Sequence, residues 1–142
     1  MTILAEDKPI QLALLVDDES FDQMMYKRII ERSGLVAEIM GFLAADHALE
    51  FLLNNPDRDI DVIFLDINMP RMDGFEFLEA ATEQLGHDFA KVCVVMLTTS
   101  LNPSDERRAR EFELVKDFLN KPLTLEDVRN VAELVRGAAQ SA

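Results

Sequence analysis

Five polar residues stand where apolar stretches end: Asp17 and Asp18 after LALLV, Asp66 at the end of DVIFLD, Thr98 after VCVVML, and Lys121 after VKDFLN. Their types define a chemistry before any fold is considered. Three carboxylates brought close together cannot all stay ionised unaided, because like charges raise one another's pKa. A divalent cation resolves that conflict. All-oxygen donors select a hard ion, and few carboxylates with room for water and a phosphoryl oxygen suit Mg2+, with Mn2+ tolerated. None of the five positions is His or Cys, which argues against zinc. A carboxylate beside such an ion can attack a phosphoryl group in line and become an acyl phosphate, while the metal and a lysine absorb charge on the equatorial oxygens. In that scheme Asp66 is the nucleophile, Asp18 a direct metal ligand and Asp17 a ligand through water. Lys121 clamps the phosphoryl group and Thr98 donates a hydrogen bond to it.

The elements that must position these residues follow from the hydrophobic pattern. Apolar runs alternate with amphipathic stretches from residue 10 to residue 137, which predicts an α/β fold with a parallel sheet. LALLV feeds a helix opening near Ser20 with Phe21, Met25 and Ile29 on one face. A strand over 38–43 precedes a helix with Ala45, Ala48, Leu49 and Leu52 at i, i+3, i+4 and i+7. DVIFLD is apolar on both faces, as a central strand covered on both sides requires. Pro70 and Gly74 punctuate the next loop, and a helix with Phe75, Leu78 and Leu85 inward leads to VCVVML. A short charged helix (PSDERRAREF), a fifth strand (VKDFLN) and a last helix with Val128, Val131, Ala132 and Val135 inward complete five β/α units. The expected fold is a doubly wound, flavodoxin-like, five-stranded parallel sheet in the order 2-1-3-4-5 with five helices. The first and third strands are then neighbours at the switch point, where sites assemble in open parallel sheets. One domain over residues 10–137 accounts for the chain, with short tails at 1–9 and 138–142.

Composition narrows the partners. A net charge of −13 repels nucleic acid and anionic lipid. The best basic group, Arg107, Arg108 and Arg110, is interleaved with Asp105, Glu106 and Glu111 and reads as a solvated helix face. No run of eighteen apolar residues and no basic-then-apolar leader occurs, so neither nucleic acid nor membrane is an expected partner and the expected location is cytoplasmic. The single Cys93 lies inside an apolar run and reads as a buried hydrophobe.

Taken together, VDDES, LDINMPRMDGFEFL, MLTTS and DFLNKPL resemble, in order, the four signature segments of the response-regulator receiver family. LTTS also resembles a subset of single-domain regulators, some of which serve phytochrome-type kinases. The resemblance implies a stand-alone response regulator in a two-component phosphorelay that accepts its phosphoryl group on Asp66 from a sensor histidine kinase or a phosphotransfer protein. Such a protein catalyses only its own phosphorylation and dephosphorylation. The resemblance also implies metal binding by Asp17, Asp18, Asp66 and the backbone carbonyl of Asn68, and phosphoryl contacts from Thr98 and Lys121. Thr98 and Phe118 form the implied switch pair. Asn68 and Ser100 occupy positions that tune hydrolysis of the acyl phosphate, and Lys121-Pro122 is a candidate cis peptide. Output is expected through the face of the fourth helix, fifth strand and fifth helix, toward a downstream protein or a second copy in a homodimer. The donor is expected near the first helix, at Phe21, Met24 and Met25, although most of those side chains should be core. Leu114 stands where relatives commonly carry a glycine closing the fourth helix, so no left-handed cap is expected there.

Other readings fit less well. A phosphohydrolase of the haloacid dehalogenase type needs an Asp two residues after its nucleophile, where this chain has Asn68, and places its acid pair last instead of first. A flavin phosphate would be repelled by Asp17 and Asp18. A receiver-like interaction module that is never phosphorylated must explain a complete set of site residues.

Overall fold

In a computed structural model that describes residues 8–99 and 102–140, strand and helix alternate from Ile10 to Gln140. The strands are β1 (Ile10–Val16), β2 (Val36–Phe42), β3 (Val62–Asp66), β4 (Cys93–Thr98) and β5 (Val115–Asn120). The helices are α1 (Ser20–Ser33), α2 (Ala45–Asn54), α3 (Gly74–Leu85), α4 (Pro103–Arg110) and α5 (Leu125–Gln140). All strand pairs are parallel and the order is β2-β1-β3-β4-β5, as the sequence predicts.

Burial explains the composition of each strand. β3 and β4 are buried at every residue, because helices cover both faces, whereas β2 and β5 lie at the sheet edges and are only partly covered. Alternate residues serve two separate cores. Leu14, Ile63, Leu65 and Met96 pack with Ala48, Phe75, Leu78 and Ala109 beneath α2, α3 and α4. Ala13, Leu15, Phe64 and Val95 pack with Tyr26, Ile30, Val128 and Val131 beneath α1 and α5. Cys93 belongs to the second core, and burial pushes its thiol up to about 11. No helix among the described residues is long and apolar enough to cross a membrane.

Local signals set the helix ends. Gly34 closes α1 in the left-handed region at φ 70. Asp73 and Glu76 form a capping box at the start of α3, and Thr124 and Asp127 exchange the same pair of bonds at the start of α5. Asn102 caps α4, with Pro103 in the first turn. α4 ends without a left-handed residue: Glu111 is right-handed and Leu114 is buried in the core, in line with the missing glycine.

Three details differ from the sequence expectation. α1 is rotated: Tyr26 and Ile30 are its buried residues, while Phe21 is 62% and Met24 47% exposed, so these two are surface and not core. The stripe 21, 25, 29 lies at the margin of the inward face, and Met25 and Ile29 only flank the core. A 3-10 turn over Gly86–Lys91, absent from the pattern reading, joins α3 to β4 and buries Phe89 edge-on to Phe77, with centroids 6.3 Å apart. α5 runs to Gln140, past residue 137, because one glycine costs a helix only about 1 kcal/mol.

Candidate functional site

The strand order brings the polar strand ends together. β1 and β3 are adjacent, with Val16 level with Leu65, so Asp17 and Asp66 leave the sheet side by side. β4 lies on the other flank of β3 and ends at Thr98, and the Lys121 amide donates to the Thr98 carbonyl at 2.8 Å. The Lys121-Pro122 peptide is cis. Each of Asp17, Asp18 and Asp66 offers a carboxylate oxygen within 4.8 Å of the others. Asp17 and Thr98 are fully buried, Asp66 is nearly so, and Asp18 is half-exposed.

Lys121 closes this cluster. Its ammonium lies 2.7 Å from Asp17 Oδ2, 3.2 Å from Asp22 Oδ2 and 3.4 Å from Asp66 Oδ2, with its side chain only 7% exposed. Burial lowers the proton affinity of this ammonium, but the hydrogen bond it donates to Asp17 and the charges of Asp66 and Asp17 outweigh it and hold its pKa above the usual lysine range. Burial raises Asp17 despite Lys121 and the Glu19 amide, which donates to Asp17 Oδ1 at 2.9 Å. Burial and the neighbouring Asp17 charge together push Asp66 up to about 6, against the pull of Lys121. One ammonium thus fails to balance three close carboxylates. A hard dication fits this donor set: the oxygens converge, and burial leaves Asp17 and Asp66 hard to ionise without further positive charge.

Two supports were not visible in the sequence. The Gln23 amide donates from Nε2 to the carbonyls of Leu15 (2.9 Å), Asp17 (3.1 Å) and Phe42 (2.7 Å), tying α1 to the ends of β1 and β2. Gly74, whose amide donates to the Ile67 carbonyl at 2.8 Å, presses against the site: a Cβ there would lie 2.6 Å from the Asp66 carbonyl oxygen. Only glycine permits that approach. Arg71, at φ 67, holds this loop to α2 through Asp46 at 3.1 Å.

The remaining predicted residues fall around the rim. Asn68 is exposed two residues beyond Asp66. Phe118 is half-buried on β5 and packs against the α2–α4 core, beside a groove of about 260 Å3 that Ala109, Arg110 and Val115 also line. Ser100 lies outside the described residues. Arg107, Arg108 and Arg110 are exposed; Arg110 pairs with Glu106, and Arg108 pairs with Glu79 and lies 4.4 Å over the Phe75 ring.

Residues 13–133 match the response regulator receiver domain family. The chain is 30% identical over 137 residues to the probable methanogenesis regulatory protein FilR2 of Methanothrix harundinacea, covering 94% of this chain and 86% of that one. It is 29% identical over 127 residues to response regulator Rcp1 of Synechocystis, covering 87% and 84%. Its fold superposes on a two-component response regulator from Cytophaga hutchinsonii with a TM-score of 0.85 at 28% identity, covering 90% of this chain and 98% of that one.

Proposed function

Because this chain belongs to the response regulator receiver domain family, whose members act in two-component signalling, we propose that it accepts a phosphoryl group on Asp66 and passes the signal to a partner protein. The observation that carries this reading is the convergence of Asp17, Asp18 and Asp66 with a buried lysine at the switch-point edge of the sheet.

In the proposed reaction an Asp66 carboxylate oxygen attacks the phosphorus of the donor. The new P–O bond forms as the bond from phosphorus to the donor atom breaks, and the donor leaves with that electron pair. Asp17, Asp18 and Asp66, with the Asn68 carbonyl, would hold Mg2+, which supplies positive charge to the transferring phosphoryl oxygens. Lys121 would contact one of those oxygens and the Thr98 hydroxyl another, and Phe118 would repack once Thr98 turns toward the phosphoryl group. These roles require no proton from Lys121, consistent with an ammonium held firmly protonated. A sensor histidine kinase or phosphotransfer protein is the proposed donor. The exposed Phe21 and Met24 on α1, with Leu43 after β2, support docking beside the site. The face of α4, β5 and α5 is the proposed output surface.

The test is intact-protein mass after incubation with acetyl phosphate, with and without Mg2+, for the native chain and Asp66→Asn. The expected result is a metal-dependent, base-labile gain of one phosphoryl group that the variant lacks. If no adduct accumulates, beryllofluoride titrated with Mg2+ and followed by NMR separates rapid hydrolysis from inability to react. Silence in both experiments would refute the reading and leave an unphosphorylated interaction module.

A further inference from the structure

The scheme above uses two of the three carboxylates that touch Lys121 and leaves Asp22 without a role. Asp22 comes from a different element: it sits in the first turn of α1, whereas Asp17 and Asp66 end strands. Tyr26 follows it by four residues and shares its helix face. The Tyr26 ring is fully buried, with its centroid 5.9 Å from the Lys121 ammonium. The lysine is therefore held against α1, with Asp22 at 3.2 Å and the farthest of its three carboxylates, Asp66, at 3.4 Å.

We propose that Asp22 is a positioning residue for Lys121, a latch that competes with the arriving phosphoryl group for the ammonium and so limits how readily Asp66 is phosphorylated. This rests on the reading of Asp66 as phosphoacceptor. Asp22 lies outside the cluster of convergent oxygens that suits a metal, so ion binding by Asp17, Asp18 and Asp66 leaves the Asp22 carboxylate entirely to Lys121. A phosphoryl oxygen that recruits Lys121 must then draw the ammonium away from α1, against the pull of Asp22. Asp22 is partly exposed, so water can solvate the released carboxylate and the exchange stays reversible. During transfer the P–O bond to Asp66 forms and the donor's P–O bond breaks with its pair going to acetate. Lys121 keeps its protons and changes only its acceptor.

The experiment measures Asp66 phosphorylation by acetyl phosphate at saturating Mg2+ for the native chain, Asp22→Asn, Asp22→Ala and Asp22→Glu. Both neutral variants should react about two- to fivefold faster at low donor concentration, the scale of one partly screened ion pair. The gain should appear as a lower half-saturating donor concentration with the plateau rate unchanged. Asp22→Glu, which keeps the charge, should return toward native behaviour, and Mg2+ affinity should stay within about twofold of native throughout, as a partly screened pair outside the ligand set allows. In 1H–15N spectra of the lysine ammonium groups, Lys121 of Mg2+-bound Asp22→Asn should lie nearer its beryllofluoride-bound position than native Lys121 does. Neutral variants that phosphorylate at the native rate or more slowly, while the native chain itself accepts phosphate, would overturn the latch and leave the phosphoacceptor reading intact. No adduct on the native chain, together with no response of Lys121 to beryllofluoride, would instead sink that reading and the latch with it.

Discussion

Replacing Asp66 by Asn should stabilise the metal-free protein, and the size of the effect follows from the site. The folded chain raises the Asp66 pKa from 3.8 to about 6, so at pH 7 the ionised carboxylate costs about 3 kcal/mol relative to the unfolded chain, at 1.36 kcal/mol per unit. Asn removes the charge but buries an amide that recovers only part of its hydrogen bonding, at about 1–2 kcal/mol. The net gain is about 1–2 kcal/mol, or a melting temperature about 3–8 °C higher for a chain of this size. The sign with pH is a sharper test. A carboxyl with a raised folded pKa binds its proton more tightly in the folded chain, so its stabilisation is complete below about 3.8 and is lost as pH rises through about 6. Native stability attributable to Asp66 should therefore rise by about 2 kcal/mol from pH 7 to pH 4.5, and the advantage of the variant should vanish there. Urea and thermal melts of both proteins in EDTA at pH 7 and 4.5 measure this. Added Mg2+ should invert the order at pH 7, because an ion at a hundred times its Kd stabilises the native chain by about 2.7 kcal/mol. A variant that is less stable than native at pH 7 in EDTA would refute the account of Asp66 as a buried, undercompensated charge. So would an advantage that persists unchanged at pH 4.5.

Gly74→Ala should cost about 1–3 kcal/mol in urea unfolding, because its Cβ would meet the Asp66 carbonyl at 2.6 Å and that backbone has little room to yield. The same shift should weaken Mg2+ binding measured by calorimetry, and native-like affinity would show that the close approach does not position Asp66. Gln23→Leu keeps the side-chain volume but withdraws the donor from the Leu15, Asp17 and Phe42 carbonyls. It should destabilise by about 1–3 kcal/mol and speed hydrogen exchange at the Asp17 amide, which donates to Phe42 at 3.1 Å; unchanged exchange would count against the clip.

The strand ends were legible because central strands of a parallel sheet are apolar throughout, so a polar residue at such an end stands out. Asp66 closes VIFLD and Thr98 closes CVVMLT, and both are buried where the pattern puts them. The neighbourhood of β1 and β3 followed from the common winding order, which placed Asp17 beside Asp66. The rotation of α1 was not legible. Phe21, Met25 and Ile29 make as good a stripe as Tyr26 and Ile30, and the choice between them depends on how α1 rests on β1 and β2. Asp22 and Gln23 escaped for a related reason: in sequence they are polar residues in a helix's first turn, which usually means solvent. Asp22 meets Lys121 across 99 residues of chain, a contact no local period encodes. The 3-10 turn at Gly86–Lys91 offered only two apolar residues, the adjacent Phe89 and Ala90, too few for any periodicity.

How a change at Asp66 could reach the outer surface follows from strand register. Met96 pairs with Phe118 across β4 and β5, and both pack on the side of the sheet covered by α2, α3 and α4. Thr98 lies two residues beyond Met96, so its side chain leaves β4 on that same face. The half-buried Phe118 ring and the buried Thr98 hydroxyl thus share one face of two adjacent strands, beneath α4. The Lys121 amide is already bonded to the Thr98 carbonyl, which couples the two strand ends directly. A hydroxyl drawn toward Asp66 would therefore vacate space on the face that carries Phe118, and the groove between α4 and β5 would alter its lining without any shift of the sheet. The distance to be crossed is one strand, so in the proposed switch a charge change at Asp66 would need no longer path to reach the α4–β5 surface.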